Sequence, residues 1–475
     1  MSTEPQTPAT GTETPVIAPE MTLHPRPEAA EPRPWVFPAP ERSVLGNGLT
    51  VLRCHRPGRH VVAVELSVDA PLHAEPEGLD GVATLTARAL AEGTARMDGE
   101  EFAAALERCG ATLDAQADHP GIRVSLEVPA SRLEQALELV AEAVRAPAFP
   151  DAEIERLVAN RLDEITHELA NPQRRAAMAL YAELFPAADR VSRPRQGTAE
   201  TVRRIDRDAV AAFHAEHFRP ATACAVIAGD LSEADLDGVL ERTLGAWGGT
   251  PAEHSRLAPV ASDDAARVVI VDRPGSVQTQ VLIGRTGPDR HDPTWAEQVV
   301  GIYCLGGTLT SRLDRVLREE KGYTYGIRAF PQVVRSGEGG DGRGALLGIA
   351  GSVQTEVTGA ALGDLVAVIR GVADGGLTAD ERNAAVQNLV GVAPLKYETA
   401  AAVADTLADQ VEQGLPDDYQ AHQYQRLAKV TAEAATAAAT AAFPLDRMVV
   451  VLVGDASRIG DEVRKLGIGP VTVQS

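Results

Sequence analysis

Two groups of side chains are spaced as metal ligands are. Glu164, His167 and Glu168 fall at i, i+3 and i+4, on one face of a helical run, and His214 and His217 lie one turn apart. Imidazoles and carboxylates on adjacent turns can hold zinc, and zinc can lower the pKa of a bound water enough for it to attack a peptide carbonyl. Such a centre also needs a general base beside the water, and neither group has one at matched spacing. Both are explained as the polar face of a solvated helix, and that reading is preferred to a zinc site. The four cysteines, Cys54, Cys109, Cys224 and Cys304, form neither a CxxC pair nor a zinc knuckle. In apolar or mixed segments they read as small buried hydrophobes of a reducing cytosol.

The elements that must position these groups belong to a long chain. Its 475 residues suffice for two to four domains, and 44% of them are hydrophobic but only 4% aromatic, so the cores are expected to be built from Ala, Val and Leu. The net charge of -22, with no Lys/Arg-rich run, argues against a nucleic-acid or anionic-membrane partner. Residues 1–40 are rich in Pro, Thr, Glu and Ala and read as a disordered leader; they lack the basic start and apolar core of a signal peptide. No later apolar stretch is long enough to span a bilayer, and the Ala-rich helix candidate at 432–443 is too short and too weakly apolar. A cytoplasmic protein is therefore expected.

The chain repeats itself. Arg56-Pro57-Gly58 precedes the alternating run Val62 to Val68, and Arg273-Pro274-Gly275 precedes Gln278 to Gly284; each reads as strand, turn, strand. Ala225-Val226-Ile227-Ala228-Gly229-Asp230 has a counterpart in Val450-Val451-Leu452-Val453-Gly454-Asp455. The two landmarks are 217 and 225 positions apart, nearly one period. Between them helical spacing runs over 79–91, 99–109, 133–144 and 151–169, the last with Asp151 as its cap, and strands over 111–128. In the second half 294–305, 311–320, 355–375 and 378–391 are helical. The expected fold is α+β: two homologous two-layer domains, 41–242 and 265–475, joined by a Gly-, Pro- and Asp-containing linker at 243–264.

The second half also contains Gly306-Gly307-Thr308-Leu309-Thr310-Ser311-Arg312-Leu313 and, further on, Leu317-Arg318-Glu319-Glu320-Lys321-Gly322-Tyr323-Thr324-Tyr325-Gly326-Ile327. Over residues 306–327 this resembles, without a gap, the signature in the C-terminal half of insulinase/pitrilysin-type zinc metallopeptidases, the mitochondrial-processing-peptidase-like group included. His217-Phe218-Arg219-Pro220 followed by the Gly229-Asp230 strand resembles the end of that family's N-terminal half, so the likeness runs from about residue 41 to 470. It implies that Arg318 and Tyr325 are a substrate-contacting pair. Arg supplies a permanent multi-donor cation for a peptide carbonyl, and Tyr a neutral O–H for a developing oxyanion. It further implies that Arg318 lies near the end of a helix and Tyr325 on the next strand, across a turn at Gly322. Without the likeness, Arg318 would read as a salt bridge on a charged helix and Tyr325 as a core side chain.

The same resemblance marks a loss. The family's catalytic chains carry His-x-x-Glu-His early in the first domain, followed by Gly-Thr. Counting back from Gly93-Thr94 places these positions at Thr84, Ala87 and Arg88. Thr and Ala cannot hold zinc, and Arg88 puts a cation where the ion would sit. Glu164 falls on the position of the family's distant carboxylate ligand. The likeness thus implies a zinc-less, Arg/Tyr-bearing, substrate-binding subunit that binds no cofactor of its own. Its expected partner is a paralogous chain with the motif and its zinc intact, the two facing each other around a chamber for unfolded peptide. Two alternatives stay open. One is a non-enzymatic, structural or core-subunit-like peptide-binding protein; the other is a peptidase with a displaced metal site.

Overall fold

The structure, a computed structural model, describes residues 35–232, 235–249, 265–334 and 344–474. Residues from Val36 onward form one compact unit. It holds two mixed six-stranded sheets. The first is ordered β1-β2-β6-β3-β5-β4, from β1 (Glu41–Val44), β2 (Thr50–His55), β3 (Val61–Val68), β4 (Thr112–Asp118), β5 (Gly121–Pro129) and β6 (Cys224–Gly229). The second is ordered β12-β7-β11-β8-β10-β9, from β7 (Arg267–Asp272), β8 (Gln278–Gly287), β9 (Ile327–Val333), β10 (Ala345–Gln354), β11 (Val449–Gly454) and β12 (Val471–Gln474). Five strands of each sheet follow one plan. β2 pairs parallel with β6 as β7 does with β11, and the other inner pairs are antiparallel. The sixth differs: β1 comes from the N-terminal side and pairs antiparallel, β12 from the C-terminal side and pairs parallel.

The duplicated landmarks touch in both halves. The Gly58 N–H donates to Asp230 Oδ2 at 2.7 Å, and the Gly275 N–H to Asp455 Oδ2 at 2.8 Å. Both turn glycines have positive φ, +74° and +75°, which an L side chain resists. Ser232 and Ser457 each donate to the same carboxylate at 2.6 Å. These hydrogen bonds hold Asp230 down at a pKa of about 2 and lower that of Asp455. The Gly-Asp strand end is thus the clasp for the Arg-Pro-Gly turn.

Helices cover the sheets as the periodicity predicts. Helix α1 (Val82–Ala89), α2 (Gly99–Cys109), α3 (Leu133–Arg145) and α4 (Asp151–Ala170) belong to the first half. The apolar stripes of α1, α3 and α4 share one core with Ile122, Val124, Leu126 and Val128, the alternate residues of β5, while Phe102 and Leu106 of α2 pack with Ala143 of α3. Asp98 and Glu101 form a capping box on α2. Asp151 is the first helical residue of α4 and makes no side-chain cap, contrary to expectation. Leu244 and Trp247, at the start of the expected linker, are buried in the first core, and 250–264 lie outside the described residues. Of the expected leader, residues 1–34 also lie outside them, whereas Phe37 is buried edge-on against Tyr397, 4.9 Å between ring centres.

The two halves exchange helices. Helix α5 (Pro172–Leu184) starts at Asn171, whose side chain accepts from Gln173 N and Arg174 N, and Pro172 is the first helical residue. Its Ala176, Leu180 and Leu184 pack on Val269, Leu282, Val449, Val451 and Val453 of the second sheet. Burial of such a leucine is worth roughly 1.5–3 kcal/mol. In return, the helix Ala400–Glu412 lies across β3 and β6 of the first sheet.

That second junction is polar. Arg123 of β5 donates to Glu412 at 2.9 Å, Asp405 at 2.6 Å and Asp409 at 2.8 Å. Ser67 donates to Glu412 at 2.7 Å, and Ser125 to the buried Glu65 at 2.5 Å. Three carboxylates therefore share one guanidinium, whose charge Glu65 also feels. Burial raises Glu65 to about 7, with Ser125 and Arg123 offsetting only part of it, and burial also raises Asp405 and Glu412. A carboxyl raised on folding stabilises the fold fully below its unfolded pKa, and that stability is lost as pH rises through the folded value. Glu65→Gln is expected to remove this loss. Urea unfolding should show the variant more stable than the parent by roughly 2 kcal/mol at pH 8 and equal to it near pH 4. A variant with the parent's pH slope between these values would show that Glu65 is not the titrating group.

Candidate functional site

The site begins at the start of α1. Gly81 precedes the helix with φ +104°, and Glu75 Oε1 accepts the N–H groups of Gly81 at 2.9 Å and Ala83 at 3.1 Å. Glu75 Oε2 is held at 2.7 Å by the buried Arg190, which also donates to the carbonyls of Arg193 and Arg195. The 190–195 segment and the helix start are thereby locked together. At Gly197 a Cβ would sit 2.1 Å from the Asp80 carbonyl oxygen, so only glycine allows this approach.

Helix α1 then carries Thr84, Ala87 and Arg88, and α4 faces it with Glu164. Arg88 grips Glu164 with both arms: Nη1 donates to Oε1 at 2.9 Å and Nη2 to Oε2 at 3.0 Å. Arg161, only 1% exposed, adds a third bond to Glu164 at 3.0 Å, grips Glu168 at 3.0 and 2.9 Å, and donates to the Gln196 carbonyl at 3.1 Å. Burial pushes the Glu164 carboxyl up, and its guanidinium partners outweigh this and bring it below its ordinary value. Thr84 and Ala87 are buried, and the Thr84 hydroxyl has no hydrogen-bond partner among the described residues.

These residues do not fit zinc. Both oxygens of Glu164 are committed to guanidinium, no imidazole is present on α1, and Ala87 offers no base. Two helices that a dication could bridge are bridged instead by an Arg-carboxylate-Arg chain. Arg161 is a member that sequence reading missed. Its signal was present, since it stands three and seven residues before Glu164 and Glu168.

The other ligand-like groups have different partners. His167 Nδ1 lies 2.8 Å from the Asp163 carbonyl, and Glu168 is taken by Arg161. His214 Nε2 lies 2.8 Å from the Val144 carbonyl, its ring stacked on Phe218, and burial lowers its pKa and that of His217. Among the described residues, no three His, Cys, Asp or Glu side chains are grouped to hold a metal ion. Cys54, Cys224 and Cys304 are buried, and burial raises the pKa of all three thiols, the last two to about 12, which suppresses the reactive thiolate. Among the described residues no helix is long and apolar enough to cross a membrane.

In the second half, Arg318 lies on a widened π-type turn (Arg315–Glu320) that Gly322, at φ +65°, closes. Such turns are frequent at functional sites. Arg318 Nη2 donates to the Leu309 carbonyl at 3.1 Å and to Glu319 at 2.8 Å, while its buried Nε, 4.0 Å from Asp314 Oδ1, has no hydrogen-bond partner among the described residues. Asp314, fully buried, accepts from the Ile327 N–H at 3.0 Å and so fixes the loop that follows. Tyr325 sits in that loop, just before β9 rather than on a strand, and is 91% exposed. It is not the core side chain that local pattern alone would suggest.

Between the halves lies a cavity of about 910 Å³. Arg161 and Glu168 line it, together with residues of β4, β5, α5, 191–196, β9 and the helix Ala400–Glu412. Arg318 and Tyr325 do not line it.

Residues 50–198 match the model of the insulinase family (peptidase family M16), and residues 204–389 that of the peptidase M16 inactive domain. Among curated proteins, the chain is similar to an uncharacterized zinc protease of Rickettsia bellii, 24% identical over 61% of this chain and 69% of that one. It is 29% identical to an uncharacterized zinc protease of Mycobacterium tuberculosis over 61% of this chain and 66% of the relative, slightly under two thirds of its length. A non-peptidase homolog, YmxG, of Helicobacter pylori is 24% identical over 71% and 76% of the two chains. Among solved structures, an M16 inactive domain from Pseudomonas fluorescens superposes with a TM-score of 0.77 at 25% identity, covering 88% of this chain and 98% of that one. A protease from Helicobacter pylori gives 0.78 at 18% identity, covering 88% and 100%, a likeness of fold.

Proposed function

Because the chain belongs to the insulinase (M16) family of peptidases, we propose that it is the zinc-less, substrate-binding subunit of a cytoplasmic, two-chain metallopeptidase. The observation that carries this reading is Arg88 gripping Glu164 where the family's catalytic chains place zinc ligands, in a chain that retains Arg318 and an exposed Tyr325. A helix without imidazole or general base cannot activate water. The exposed phenol, and the guanidinium on exchanging the Leu309 carbonyl and Glu319 for substrate, would serve chemistry at another chain's metal: the guanidinium for a peptide carbonyl, the phenol for the oxyanion. The partner is a paralogue with intact His-x-x-Glu-His, and the substrate is unfolded peptide.

A second reading has its own support. Arg318 is already engaged by Leu309 and Glu319, and one relative is described as a non-peptidase homolog. On that reading the chain binds peptide without any catalytic role. Reconstitution separates the two. The chain mixed with its zinc-bearing paralogue should co-elute with it and cleave an unfolded peptide at least about tenfold faster than either chain alone. A paralogue that is equally active without this chain would overturn the subunit reading.

A further inference from the structure

The cavity between the halves is charged on all sides, and its charges do not cancel locally. Six arginines and six Asp or Glu residues line it. Four of the arginines are neutralised within the fold. Arg123 is held by Asp405, Asp409 and Glu412, and Arg161 by Glu168. Arg195 meets Asp118 and Arg193 meets Asp80, each at 2.6 Å. Asp405, Asp409 and Glu412 share the one guanidinium of Arg123, and Asp114, which lacks an arginine, accepts from Gln116 at 2.7 Å, so the negative excess of the lining lies at β4, β5 and the helix Ala400–Glu412.

Arg174 and Arg290 are left over: among the described residues neither has a carboxylate within ion-pairing distance. Arg174 stands exposed on α5, a helix fixed by its opposite face to the second sheet. Arg290 follows β8 and is half-buried near Tyr419 and Tyr424. The two cations come from different halves of the sequence, Arg174 from α5 and Arg290 from the segment after β8, and both line one cavity. In a chain of net charge -22, two uncompensated guanidinium groups at one cavity are the reverse of what overall composition favours.

We propose that this cavity binds peptide carboxylates, with Arg174 and Arg290 as the two anchors, and so selects acidic peptides. This rests on the reading of the chain as a substrate-binding subunit and names the class of substrate. The volume lies at the upper end of that of small-ligand pockets, enough for a few residues of extended peptide. Met178, Val191 and Pro331 provide apolar wall between the charges. A guanidinium binds a carboxylate through two parallel N–H bonds, which gives orientation as well as attraction. The chain as a whole repels an acidic peptide, so selective capture of one reports this local arrangement and not bulk charge.

The test uses the full chain alone, by fluorescence anisotropy, with short labelled peptides. One is rich in Asp and Glu with an amidated C-terminus, one is its Asn/Gln counterpart with a free C-terminus, and one is that counterpart amidated. Either carboxylate source is expected to bind more tightly than the fully neutral peptide, and comparison of the first two shows whether side-chain or terminal carboxylate is preferred. Arg174→Glu and Arg290→Glu should each weaken carboxylate binding about tenfold. Arg464→Glu, the same charge change on a remote helix, should leave it unaltered, and urea unfolding of all three variants checks that they are folded. Equal binding of the neutral amidated peptide, or folded Arg174 and Arg290 variants that bind as the parent does, would overturn the proposal. No partner chain is needed for this experiment, so its failure is distinguishable from a failure of the two-chain reading.

Discussion

Arg318→Ala in the proposed two-chain peptidase, once reconstituted, is expected to lower kcat/KM about a hundredfold, and Tyr325→Phe at least about tenfold, with association of the chains and zinc content of the proposed partner unchanged. The phenylalanine variant is the more telling of the two. It keeps the ring and removes only the O–H, and Tyr325 is 91% exposed, so its hydroxyl contributes little to the stability of this chain. A loss of rate must then come from what the hydroxyl touches in the complex. Arg318 needs a control, because it also donates to the Leu309 carbonyl and to Glu319. Arg318→Lys keeps the charge but cannot reproduce a planar fork and should recover only part of the rate. Turnover unchanged in the Tyr325→Phe pair would place these side chains outside the chemistry.

The second large effect is on stability. Arg123→Met is expected to cost about 3–5 kcal/mol at neutral pH, because it leaves Glu412, Asp409 and Asp405 facing one another, with Glu65 close by, and no counter-charge. Methionine retains most of the apolar stem, so the loss reports the guanidinium. The pH dependence has a definite sign. At low pH the carboxyls are protonated and the missing cation matters little, so the gap between variant and parent should narrow as pH falls. Urea unfolding at pH 8 and pH 5 measures both points. A gap of under about 1 kcal/mol at pH 8 would mean that the junction does not depend on this ion cluster. Since β5 and the helix Ala400–Glu412 belong to different halves, cleavage between the halves by a protease should also quicken in the variant.

Much of this architecture was legible in the residues. The Arg-Pro-Gly and Gly-Asp landmarks showed the duplication because each is one half of a clasp, and a clasp needs the same residue types wherever the fold repeats. Helices α2 and α4 and the strands around Ile122–Val128 followed from periods of 3.6 and 2. The meeting of Arg88 with Glu164 was legible only through resemblance. Arg88 and Glu164 are 76 positions apart, and nothing local says that α1 faces α4. The helix exchange was not legible at all. The apolar stripe of α5 shows that it needs a sheet, but both sheets present the same Val- and Leu-rich face. Arg123 looked like the outward residue of an alternating strand, while its partners lie 282 to 289 positions further on. The resemblance implied that Tyr325 lies on the strand after the Gly322 turn. It lies instead in the loop set by the Gly322 turn and by the hold of Asp314 on the Ile327 amide.

The account stands most directly on the metal content of the purified chain by itself. After dialysis against micromolar zinc, atomic absorption should find far less than one zinc per chain, and the protein alone should not cleave unfolded peptide, because Arg88 already occupies the carboxylate that would bind the ion. One equivalent of zinc per chain, with cleavage that a chelator abolishes and zinc restores, would contradict it.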